Sequence, residues 1–150
     1  PVFLIIINKK LYNMTKKLLF SFLISLLSLF IFSQEQKYQL STHILDINTG
    51  APASGVSVQL EKETEKGIWK KINDLKTDEN GRINSFLPTS DNSDNKGIYK
   101  LTFFTQPYFT LKKVETFYPY IQILFEIKDN KHYHVPITLS PFGYSTYRGS

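Results

Sequence analysis

The sequence predicts an all-β domain, a two-sheet β-sandwich with one short helix, carried behind an N-terminal export leader. Three observations predict it. Apolar and polar residues alternate with period two in several stretches, turn-forming residues separate those stretches, and only one short segment could be helical.

The leader comes first. Met14 is the only methionine, so residues 1–13 read as sequence upstream of the start. Lys16 and Lys17 precede an apolar run from Leu18 to Phe32, broken only by Ser21, Ser25 and Ser28. Ser33 is a small residue at a cleavage point, and Gln34, Glu35 and Gln36 turn polar. This is the pattern of a signal peptide over 14–33, and the run is short for a spanning helix. Ile31, three residues before the expected cut, is bulkier than usual there. The mature domain is expected to span 34–150, in the bacterial periplasm and free of the membrane once cleaved.

Strands come next in chain order. Leu40 to Leu45 opens the domain with His43 and Ser41 on one face, opposite Leu40 and Ile44. Val56, Val58 and Leu60 alternate with Ser57, Gln59 and Glu61. Tyr99, Leu101 and Phe103 alternate with Lys100 and Thr102. Ile121, Ile123, Phe125 and Ile127 form the next inward row, with Leu124 as the one apolar exception on the other face. Val135, Ile137 and Leu139 form the last, with His134 on the opposite face. Turns are expected at Asn48-Thr49-Gly50, Glu79-Asn80-Gly81, Asp91 to Gly97, Asp129-Asn130 and Ser140 to Gly143. The short helix is expected over Thr110 to Thr116, between Pro107 and Pro119.

Composition narrows the function. The chain holds 18 Lys and Arg against 13 Asp and Glu, but four of the basic residues and no acid precede Gln34. The remaining 14 and 13 nearly cancel, which leaves no basic face for nucleic acid. With no cysteine, disulfides, thiolate nucleophiles and thiolate metal sites are excluded. Elbow, phosphate-loop and His-Glu-x-x-His motifs are absent as well.

The candidate chemistry lies in three histidines, His43, His132 and His134, together with Arg82 and the tail Tyr147, Arg148, Gly149 and Ser150. Strand phase turns His43 and His134 away from the core. Two readings stay open on residue type alone: solvated surface histidines, or a three-histidine zinc site in which His132 and His134, two apart, are joined by His43. Arg82 follows the Asn80-Gly81 turn and could be an exposed charge, and the tail could be a frayed end.

Two groups of motifs carry a resemblance. Ile44-Leu45-Asp46 through Gly50-Ala51-Pro52 to Leu60, with Thr77-Asp78-Glu79-Asn80-Gly81-Arg82, also resembles non-catalytic exported sandwich modules. Ser41-Thr42-His43, His132-Tyr133-His134-Val135-Pro136 and Ser140-Pro141-Phe142-Gly143-Tyr144-Ser145-Thr146-Tyr147-Arg148-Gly149-Ser150 are more specific, and here the chain resembles 5-hydroxyisourate hydrolase, of the transthyretin-related family. The resemblance covers residues 39–150. It implies a transthyretin-like sandwich, catalytic His43, Arg82 and His134, and substrate contacts from His43, Arg82, Tyr147, Arg148, Gly149 and Ser150, with His132 secondary. It further implies hydrolysis of 5-hydroxyisourate to 2-oxo-4-hydroxy-4-carboxy-5-ureidoimidazoline in urate breakdown, no cofactor or metal, and a homotetramer with sites at subunit interfaces. Ile44, Asn80 and Ile137-Thr138 depart from the family's usual residues without removing a site residue. The alternatives are a non-catalytic interaction module and a small-ligand carrier.

Overall fold

A computed structural model describes residue 16 and residues 37–89 and 94–149. The expected upstream sequence and signal peptide (residue 16 apart), part of the Asp91–Gly97 turn, and Ser150 lie outside the described residues. The chain divides into two units between residues 35 and 36, and the second, Gln36–Ser150, holds the sandwich.

Among its described residues this unit has ten strands and one helix: β1 (Leu40–Asp46), β2 (Ala51–Pro52), β3 (Ser57–Glu65), β4 (Ile68–Lys76), β5 (Arg82–Ile83), β6 (Gly97–Phe104), α1 (Thr105–Leu111), β7 (Ile121–Ile127), β8 (Tyr133–His134), β9 (Ile137–Ser140) and β10 (Gly143–Thr146). One sheet runs β4-β3-β6-β7, and the other runs β10-β9-β1-β2 with β5 and β8 also paired to β1. The inward residues of both sheets, among them Leu40, Ile44, Val58, Leu60, Tyr99, Leu101, Phe103, Ile121, Ile137 and Leu139, are buried in one core. Each aliphatic side chain so buried contributes about 1.5–3 kcal/mol. The period-two rows therefore sit where their alternation predicts, and Leu124 stays 60% exposed on the outer face.

β1 is the hub. On one side it pairs parallel with β8 (Ser41 opposite His134) and β9. On the other it pairs antiparallel with β5 (His43 opposite Arg82) and β2. Segments some ninety residues apart in the chain thus meet on one strand. β8 and β9 are separate short strands rather than one long one. Proline has no N–H to give the ladder, and Pro136 falls at the break between them.

Two elements differ from expectation. The helix is α1, Thr105–Leu111, and not Thr110 to Thr116. Pro107 lies within its first turn, where a missing N–H costs nothing, and Thr105, Tyr108 and Phe109 turn one face inward at helical spacing. The helix ends at Lys112 and Lys113, the latter at φ 57°. β4 was not anticipated. It pairs along β3 through register shifts at Leu60/Glu61 and Glu63/Glu65, and Ile68 and Ile72 lie exposed along it. An edge strand with bulges need not keep an alternating pattern.

A buried carboxylate ties α1 to the end of β1. Asp46, 1% exposed, accepts from the Tyr108 hydroxyl at 2.8 Å and from the Asn48 N–H at 3.0 Å, with Lys112 Nζ at 3.6 Å.

Candidate active site

The site forms on the outer face of β1, because strand alternation turns Ser41 and His43 there while Leu40 and Ile44 enter the core. Each neighbouring strand then presents one residue to that face. Register with β5 sets Arg82 beside His43, and register with β8 sets His134 beside Ser41.

Arg82 is held by the turn before it. Gly81 has φ 68°, a left-handed conformation that favours glycine. A Cβ there would meet the Ile44 carbonyl oxygen at 2.6 Å. The Asp78 carboxylate accepts from the N–H groups of Asn80 at 2.9 Å and Arg82 at 2.8 Å. The Asp78 N–H donates to the Arg82 carbonyl at 2.9 Å. Asp78 therefore presents Arg82, a role that sequence reasoning missed although the Asp-x-x-Gly-Arg spacing offered a turn signal for it.

The histidines are placed unequally. His43 is half-buried, and its pKa is lowered by burial first and by the Arg82 charge second, against a hydrogen bond to the Asn80 backbone and the Asp78 charge. His134 is also half-buried. Its pKa is lowered by burial, then by Arg82, His132 and His43, against a hydrogen bond to the Ser41 backbone. Both imidazoles are thus biased to the neutral, proton-accepting form at neutral pH.

His132 lies outside the strand and is exposed, but its ring turns back to the site. Its Nε2 is 2.8 Å from the Ser41 hydroxyl and its Nδ1 is 3.1 Å from the Tyr38 carbonyl. The same hydroxyl is 2.8 Å from His134 Nδ1. Ser41 is only 5% exposed beneath these rings. Among the described residues no group of three or more His, Asp or Glu is arranged as a metal-ligand set. The three-histidine arrangement is replaced by a hydroxyl between two imidazoles.

The tail folds back onto His134. Gly149 forms a bridge with it and donates its N–H to the His134 carbonyl at 2.9 Å. A Cβ at Gly149 would collide with His134 Cδ2 and stand 3.0 Å from Cγ. Arg148 stacks its guanidinium over the Tyr133 ring, 5.0 Å from the centroid. Tyr147 is 60% exposed. Between this tail and β7 runs a groove of about 390 Å³, lined by Tyr147, Arg148, Tyr133, His134, the β7 residues Ile123 to Glu126, and Lys128 just beyond the strand. His43 and Arg82 lie outside its lining, on the open face of the sheet. The arrangement offers proton-accepting imidazoles beside a planar cation, which suits hydrolytic chemistry.

Comparison with known proteins agrees with this architecture. The family model described as HIUase/transthyretin family matches residues 40–149. A 5-hydroxyisourate hydrolase of Salmonella dublin is 49% identical over 112 residues, covering 74% of this chain and 80% of that protein. The structure of Klebsiella pneumoniae 5-hydroxyisourate hydrolase matches with a TM-score of 0.63 and 42% identity, covering 74% of this chain and 97% of that one. Sea bream transthyretin, in a crystal structure with thyroxine, matches with a TM-score of 0.67 at 28% identity, covering 74% and 94%.

Proposed function

We infer, on the premise that this chain belongs to the HIUase/transthyretin family, that it is a 5-hydroxyisourate hydrolase acting in urate breakdown. The observation that carries the reading is the gathering of His43, Arg82 and His134 around β1, with Gly149 laid on the His134 ring. A carrier needs a binding surface, not two imidazoles biased toward the neutral form.

The reaction opens a cyclic amide. Water adds to the ring carbonyl, and a neutral histidine accepts its proton. The carbonyl oxygen gains negative charge, which the Arg82 guanidinium stabilises while its planar donors hold the substrate. The C–N bond then breaks and the departing nitrogen takes up a proton. His43 or His134 carries the proton transfers, and Tyr147, Arg148, Gly149 and Ser150 contact the substrate.

Two further features belong to this proposal. The open face bearing His43 and Arg82 becomes concave when another subunit covers it, consistent with a homotetramer whose sites lie at interfaces. The leader over 14–33 directs export to the periplasm, so protein recovered from that compartment begins at Gln34.

The decisive experiment adds the purified protein to freshly generated 5-hydroxyisourate in the presence of a chelator. Consumption far above the spontaneous rate is expected. No acceleration rejects the hydrolase, and loss of activity to the chelator rejects the metal-free scheme.

A further inference from the structure

The two histidines flanking Ser41 are linked by a hydrogen-bond chain whose direction can be worked out. Tyr38 contributes a backbone carbonyl, which only accepts. The His132 Nδ1 facing it, at 3.1 Å, must therefore carry a hydrogen. A neutral imidazole has one N–H, so His132 Nε2 is an acceptor. The Ser41 hydroxyl, 2.8 Å away, donates to it. That uses the only hydrogen Ser41 has. The remaining contact, 2.8 Å from Ser41 Oγ to His134 Nδ1, is then made by a hydrogen on Nδ1.

We propose that Ser41 and His132 are positioning residues that set the tautomer of His134, keeping its proton on Nδ1 and leaving Nε2 bare to accept the proton of the attacking water. The tautomer stands on the hydrogen-bond geometry alone, while its catalytic use rests on the hydrolase reading. His43 has a backbone partner of its own in Asn80, so the chain orients His134 without excluding His43 as a second participant. The position of the tail agrees. A Cβ added at Gly149 would fall on Cδ2, the ring atom bonded to Nε2, so the tail backbone passes beside the bare nitrogen's side of the ring.

The proton balance closes. Water oxygen bonds to the carbonyl carbon and its proton passes to His134 Nε2. The imidazolium keeps its Nδ1–H on Ser41. When the C–N bond breaks, Nε2 returns the proton to the departing nitrogen. Ser41 and His132 hold hydrogens throughout and exchange none with substrate.

The test is long-range ¹H–¹⁵N NMR of histidine nitrogens in the full chain at about pH 8, where imidazoles are neutral, alongside kinetics of the Ser41→Ala and Ser41→Thr variants. In the unaltered chain His134 is expected to show a protonated Nδ1 and an unprotonated Nε2. Ser41→Ala removes the hydroxyl and leaves only the Ser41 backbone to hold His134, so it should shift His134 part of the way toward the Nε2–H form. It should lower kcat by at least about 10-fold, since a base in the wrong tautomer loses its acceptor, with KM changed little. Ser41→Thr, which keeps the hydroxyl, should restore the tautomer and most of kcat. An Nε2–H form in the unaltered chain overturns the proposal whatever the turnover, as does an unchanged tautomer in Ser41→Ala. The expected tautomer with no turnover overturns the hydrolase reading and leaves the tautomer assignment standing.

Discussion

Gly149 lies against the imidazole of His134, close enough that a single added carbon would overlap the ring, while its N–H bonds the His134 carbonyl at 2.9 Å. The tail is therefore part of the wall around the base. Gly149→Ala should displace the ring or the tail and reduce kcat/KM by about 10-fold or more, a cost typical of misplacing a catalytic group by about an ångström. Thermal denaturation should shift little, because the contact is peripheral to the core. Full activity in this variant would show that the tail does not shape the site.

His134→Ala removes a proton acceptor and Arg82→Ala removes the planar cation beside it. Each should lower kcat/KM by about 10²–10⁴-fold, the range for loss of a general base or of an oxyanion stabiliser. Circular dichroism should be unchanged, since Arg82 is exposed and His134 faces outward. Arg82→Lys should recover only a part, because an ammonium lacks the planar fork.

Gly81→Ala tests the mount of Arg82 rather than its chemistry. The left-handed backbone at φ 68° and the approach to the Ile44 carbonyl together should cost about 2–4 kcal/mol of stability. Urea denaturation reads this directly. An unaltered midpoint would mean that the turn relaxes without loss.

Acid should act on activity and stability through the same two rings. Burial and Arg82 hold His43 and His134 below the ordinary histidine value of 6.5. Their neutral forms persist as pH falls through that value, so the acid limb of kcat/KM should lie below pH 6.5. Between the folded pKa and the unfolded value, the unfolded chain binds more protons, so stability rises with pH across that window and declines as pH falls through it. Below the folded pKa their contribution no longer changes with pH. His43→Gln should shrink this dependence in urea titrations at several pH values. A dependence equal to that of the unaltered chain would assign it to other groups.

Much of the site's direction was legible from alternation. In Leu40 to Ile44 and in His134 to Leu139, apolar residues of one parity mark the core side, so His43 and His134 had to face out. The same reasoning placed the inward rows of β3, β6 and β7. It missed β4, whose bulged pairing breaks the pattern, and it put the helix too late by reading Pro107 as a boundary rather than a first-turn residue.

By itself, the sequence determined the all-β class, the outward faces of His43 and His134, the glycine at the turn before Arg82 and the motif that closes on Tyr147 and Gly149. These depend on local rules: a strand alternates, and a left-handed turn favours glycine. Tertiary structure alone decided that Ser41 sits between His132 and His134, that Asp78 presents Arg82, and that the tail covers a ring rather than fraying. The physical reason is register. Which residue of β1 stands opposite which residue of β8 or β5 is settled by how the two sheets share one core and how Pro136 interrupts a ladder, and no local period encodes that alignment.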